Sequence, residues 1–109
     1  MEGRMRRDWA EPRAKVDEEG RCRYCGRSDR RLEAAHVIPR SVAPGPANQG
    51  AINVVPLCAG DASGPGCHQR YDAHEISLLG YLTAREEAAA VLIAGGLELA
   101  RRQINGRES

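Results

Sequence analysis

Asn53-Val54-Val55-Pro56-Leu57-Cys58 and, after a gap, Cys67-His68-Gln69-Arg70-Tyr71-Asp72 are the segments on which the reading of this chain turns. The first is a short apolar run that ends in a thiol. The second opens with a thiol and then places polar groups at helical spacing. Upstream, Cys22-Arg23-Tyr24-Cys25 adds a second thiol pair. C-x2-C is the spacing at which two thiolates reach one tetrahedral ion without strain. Cys58 and Cys67 are wider apart, but Gly60, Gly64, Pro65 and Gly66 let the intervening loop fold back. Buried thiols or disulfides are the other readings of four cysteines. No apolar run follows the charged start Met1-Glu2-Gly3-Arg4-Met5-Arg6-Arg7, so a cytoplasmic chain with reduced thiols is expected. That favours one structural Zn2+ on Cys22, Cys25, Cys58 and Cys67, with no coordination position left open.

A chain of 109 residues predicts one small domain. With no Phe and a single Trp, its core is short of large side chains, and a domain this small often needs a staple. A structural metal meets that need, since zinc binding in finger peptides is worth on the order of 10 kcal/mol. The net charge of +1 says little about partners. The distribution says more: Arg21, Arg23, Arg27, Arg30, Arg31 and Arg40 stand against only Asp29 and Glu33 in the stretch 21–40. Arginine suits phosphate geometrically, although high-GC codon usage also enriches it, and the Arg- and Ala-rich composition fits a bacterial cell or its phage. No stretch approaches the ~18 apolar residues of a membrane helix, so no membrane partner is expected.

Three regions are expected: a charged N-terminal arm at 1–19, a core at 20–77 and a C-terminal helical extension at 78–109 packed on that core. In the arm, Asp8 to Glu19 reads as a frayed helix pinned by Trp9. Leu32 to Ile38 reads as a short strand stopped by Pro39, and Ala51 to Leu57 as a second. Residues 41–50 and 59–66 are loops by composition. A helix is expected from about Gly66 or Cys67 to Ile76. Thr83-Ala84-Arg85-Glu86 is a capping-box pattern that opens a helix through Ala94, broken by Gly95-Gly96. Leu97 to Ile104 is a last helix, stopped at Asn105-Gly106. The apolar residues of 78–104 fit a cover for the core, with a dimer surface or a second DNA contact as the other readings, so monomer and dimer both remain open.

Three polar groups could carry chemistry. His36 ends an apolar strand, and a neutral imidazole takes a proton from water near neutral pH. His68 and Asp72, four residues apart on one helix, stack on one face and can share a divalent cation, Mg2+ or another such metal. Asn53 can bond loop backbone across the hairpin and so fix the segment carrying His36. His74 has no evident partner and is expected at the surface.

In order, C-x2-C, then Ala34-Ala35-His36-Val37-Ile38-Pro39-Arg40, then Asn53-Val54-Val55-Pro56-Leu57-Cys58, then Cys67-His68-Gln69-Arg70-Tyr71-Asp72 resembles the HNH endonuclease family. Its small zinc-bearing phage and bacterial members are the most similar. The resemblance covers about residues 20–75 and implies a small α+β, ββα-metal fold with added C-terminal helices. It implies a metal-dependent DNA endonuclease that leaves a 5′ phosphate and a 3′ hydroxyl. In that reading His36 is the general base, Asn53 orders the loop between the strands, and His68 with Asp72 binds the catalytic metal. Arg40 and Arg70 would hold flanking phosphates of DNA, with a phage or host protein as a further partner.

Two departures stand out. The residue before the base is usually Asp or His and binds the metal; here Ala35 has no donor, leaving Glu33 or Asp61 as replacements. The gap between Cys58 and Cys67 is wider than usual, an insertion that costs little closure entropy. Ala35 also favours an alternative, a non-catalytic zinc-stabilised module that binds nucleic acid or protein. A redox dithiol role for Cys22 and Cys25 lacks the βαβ context it needs.

Overall fold

The structure, a computed structural model, describes residues 2–39, 41–42 and 50–105, with side chains from residue 11 onward. In chain order it holds helix α1 (Glu2–Glu19), strand β1 (Leu32–His36), a 3-10 turn (Ala51–Asn53) and strand β2 (Val54–Cys58). Helices α2 (Cys67–Asp72), α3 (Ala84–Ala94) and α4 (Leu97–Ile104) follow. This is a small α+β fold built on a two-stranded antiparallel sheet.

Leu32 pairs with Cys58, Ala34 with Pro56 and His36 with Val54; between them Glu33 pairs with Leu57 and Ala35 with Val55. Because side chains alternate across a strand, these two sets occupy opposite faces. Ala35, Val55 and Leu57 enter one apolar cluster with Cys67, Tyr71, Ile76, Leu78, Ala90, Ala100 and Ile104, so helices α2 to α4 cover that face. Val54 and Pro56 on the other face are also fully buried, beneath α1. The hairpin is thus packed on both sides, which explains why every residue of β2 is buried.

The region expected as a charged arm contributes two residues to the interior. Pro12 and Val16, one turn apart, are fully buried, and Arg13 donates to the Leu32 carbonyl at 3.0 Å. A dense background of charge hides this narrow apolar stripe in the sequence. The side chain of Trp9 lies outside those described.

The strands are shorter at one end than expected. Residues 51–53 form a helical turn, so Asn53 closes that turn instead of lying within the strand expected from Ala51. Helix α2 also stops early, at Asp72, where His74 adopts a left-handed conformation with φ 63°. The His74 N–H then donates to the Tyr71 carbonyl and the Glu75 N–H to the Arg70 carbonyl, closing the helix with a Schellman pair. His74 is exposed, as expected.

Helices α3 and α4 keep their expected limits. Thr83 caps α3 by accepting from the Glu86 N–H, while Glu86 accepts from the Thr83 N–H. Gly95 ends the helix at φ 94°, a conformation that costs glycine nothing. Of the apolar residues in this extension, Leu78 and Ile104 are buried and Leu82 and Val91 pack against the core, whereas Leu79, Leu92, Leu97 and Leu99 stay exposed. Among the described residues no helix is long and apolar enough to cross a membrane.

Candidate functional site

Four thiols converge where the knuckle after α1 meets the β2–α2 junction. Ligand atoms of Cys22, Cys25, Cys58 and Cys67 all lie within 4.8 Å of one another, and Cys25 Sγ stands 3.9 Å from Cys58 Sγ. Four sulfurs on one tetrahedral zinc at ~2.3 Å stand ~3.8 Å apart, so the donor set fits a metal ion such as zinc. The local backbone is built for it. The Gly26 N–H donates to the Cys22 carbonyl, and the Cys67 N–H donates to Cys58 Sγ at 3.3 Å, the kind of bond a thiolate accepts.

The wide Cys58–Cys67 gap closes on itself. Asp61 and Gly64 exchange backbone hydrogen bonds of 3.0 Å each, and Arg30 reaches Asp61 and Ser63. Gly66 then passes so close to Cys58 and Ala59 that any Cβ there would collide with their backbone. Asp61 is thereby committed to its own loop.

Electrostatics of the bare thiols show what a cation would relieve. Burial works against ionising Cys22, but backbone donors at Cys25, Cys58 and Tyr24 bring it down to about 7. Burial, then the nearby Cys22 charge, pushes Cys67 up, and burial also raises Cys25. One ionised sulfur hinders the next, and a divalent cation inverts that relation.

A second constellation lies on the α2 face of the hairpin. His68 Nδ1 is 2.7 Å from Glu33 Oε1, and His68 Nε2 is 3.5 Å from Asp72 Oδ2. The other Glu33 oxygen accepts from Arg31 Nη2 at 2.7 Å. The His68 bond, opposed by burial and aided by Arg31, lowers the Glu33 pKa, so this carboxylate is ionised and can only accept. Of the two acidic residues left open by Ala35, the structure brings Glu33 to His68. The signal was present in the sequence as parity: Glu33 lies two residues before Ala35 and shares its strand face.

Asn53 is 1 % exposed and clasps the turn after β1. Its Oδ1 accepts from the Ile38 N–H and its Nδ2 donates to the Ile38 carbonyl, each at 3.0 Å. Tyr71 of α2 donates its hydroxyl to the Val37 carbonyl at 2.7 Å, tying the same turn to the helix. His36, immediately before this turn, is half-buried. Its register opposite Val54 places it on the face away from Glu33, at the last position of β1. Arg70 is exposed on α2 and stands 3.9 Å from Glu75. Arg40 lies outside the described residues.

One group had no forecast role. Glu86 is 3 % exposed, yet it meets Lys15 of α1 at 2.7 Å and Arg23 of the thiol knuckle at 2.6 Å. Arg23 also pairs with Glu19 at 2.6 Å. The capping-box motif marks Glu86 as a cap but not as the hub of a buried ion network.

No protein-family model matches the chain, and no curated protein or solved structure matches it.

Proposed function

We propose that this chain is a metal-dependent DNA endonuclease of the HNH type. The observation that carries the reading is the pairing of His68 with Glu33 and Asp72 on a hairpin-and-helix unit whose turn is held by Asn53. The donors suit a divalent cation: Nε2 and Oδ2 stand 3.5 Å apart, and neighbouring donors on an octahedral ion at ~2.1 Å stand ~3.0 Å apart, so the pair would close by about 0.5 Å on binding. His68 and Asp72 would hold the cation. Its chemistry when bound is Lewis-acid stabilisation of charge on the phosphate and on the departing oxygen.

The chain's own residues do the rest. His36 accepts the proton of the attacking water through its imidazole. Asn53 and Tyr71 hold the backbone that follows His36. Among the described residues β1 has a strand on one side only, so its outer edge is where side chains of both faces would meet one substrate strand. The mechanism requires that edge to bring His36, on one face, and His68, on the other, to the same phosphate. Arg70 and Arg40 would contact phosphates beyond the cut, positioning the duplex without reading its bases.

The test is supercoiled plasmid with zinc-loaded protein in Mg2+, Mn2+ or Ni2+, with EDTA as control. Metal-dependent nicking, lost in His36→Ala while DNA binding persists, is the expected outcome. Unchanged nicking in His36→Ala would remove that residue from the mechanism. The absence of a donor at Ala35 favours a second reading, a zinc-stabilised binding module. DNA binding without cleavage in every metal would select it.

A further inference from the structure

The geometry points to Glu33 as a positioning residue that sets the proton of His68, so that Nε2 faces Asp72 as a bare lone pair. The inference deepens the endonuclease reading and rests on it for the metal, but not for the proton. An ionised carboxylate can only accept, so the ring nitrogen 2.7 Å away, Nδ1, must be the donor. In the neutral ring the proton then sits on Nδ1, and Nε2 is left as an acceptor. Nε2 is the nitrogen that stands 3.5 Å from Asp72 Oδ2. Two acceptors side by side repel each other, unless a proton or a cation lies between them. The pair is therefore arranged for a cation when the ring is neutral.

Glu33 is not itself a ligand in this arrangement. One oxygen faces His68 Nδ1, and the other accepts from Arg31 at 2.7 Å. Both are engaged on the side of the ring away from Asp72. The chain thus carries, from strand to helix, Arg31, Glu33, His68 and Asp72 in contact order. Such outer carboxylates orient a ligating imidazole and raise its basicity, and their loss typically lowers metal affinity 10- to 100-fold. This also gives a physical sense to Ala35. The strand face that offers no donor at that position offers, two residues earlier, a group that strengthens the histidine across from it.

The experiment uses the full zinc-loaded chain and has two readouts, neither of them cleavage. Long-range 15N–1H NMR at about pH 9, where imidazoles are neutral, reports which nitrogen of His68 carries the proton. Titration with Mn2+ alone reports affinity at the site. Wild type should show the proton on Nδ1. Glu33→Ala should move it predominantly to Nε2 and weaken Mn2+ 10- to 100-fold. Glu33→Gln keeps an acceptor oxygen, so it should retain the Nδ1 proton with a smaller loss of affinity, and it carries the test should the alanine variant fail to fold. A wild-type proton on Nε2, or a tautomer unmoved in both variants, would overturn the inference. So would Mn2+ broadening of the Glu33 carboxylate beyond that of the His68 ring, which would make Glu33 a ligand. If the endonuclease reading fails, no metal supports cleavage, yet the tautomer result stands on its own.

Discussion

At the scale of single residues, Asn53 shows how much one buried amide can hold. Its two bonds to Ile38 engage the N–H and the carbonyl of one buried residue in a turn. Asn53→Ala removes both of these buried bonds, and a loss of about 2–4 kcal/mol is expected in urea unfolding of the zinc-loaded protein. A loss below ~0.5 kcal/mol would mean that the turn is held by other contacts. The reach of Asn53 across the hairpin was legible in the sequence, because an amide beside a strand junction has backbone as its nearest partner. The meeting of Glu33 with His68 was legible only as an option. It depends on strand register, which fixes parity but is set by the whole hairpin.

At the scale of elements, the ends of α2 decide whether the fourth thiol and the candidate metal pair are delivered together. Gly66 precedes Cys67 and is pressed against the backbone of Cys58 and Ala59. Gly66→Ala should displace Cys67 from the thiol quartet, so purified protein should bind less than one equivalent of zinc by metal analysis; full occupancy would refute the close approach. At the other end, His74 holds a left-handed conformation that disfavours a side chain by roughly 1–2 kcal/mol. His74→Gly should therefore stabilise the fold by about 1 kcal/mol in thermal or urea unfolding, with the candidate site untouched. Helix α3 was readable from its capping box and the glycine after it, since both are local. The end of α2 was not, because nothing in a histidine announces a left-handed turn. Nor was the burial of Pro12 and Val16, which is a tertiary outcome that charge on either side conceals.

At the scale of the molecule, Glu86 links three parts that the sequence separates widely: α1 through Lys15, the thiol knuckle through Arg23, and α3 on which it sits. Burial opposes its charge, but Arg23, then Lys15 and the Thr83 backbone, bring its pKa from 4.5 down to about 2. A carboxyl lowered in the folded state contributes stability that is fully present above about pH 4.5 and is lost as pH falls through about 2. A shift of that size is worth about 3 kcal/mol, so Glu86→Gln should cost on that order at pH 7. The difference between the two proteins should narrow between pH 4.5 and pH 2, read by urea unfolding across that range. A constant difference would show that the network is not governed by the Glu86 charge. The thiol quartet, this network and the two-sided packing of the hairpin together set β1 against α2, which is the arrangement that the proposed chemistry needs. The most direct test is a crystal of the zinc-loaded chain soaked in Mn2+, with anomalous diffraction recorded for both metals. The account predicts zinc among Cys22, Cys25, Cys58 and Cys67, and manganese between His68 Nε2 and Asp72 with Glu33 on the far side of the ring. A quartet without metal, or no manganese at His68 in a crystal where that face is open to solvent, would contradict it.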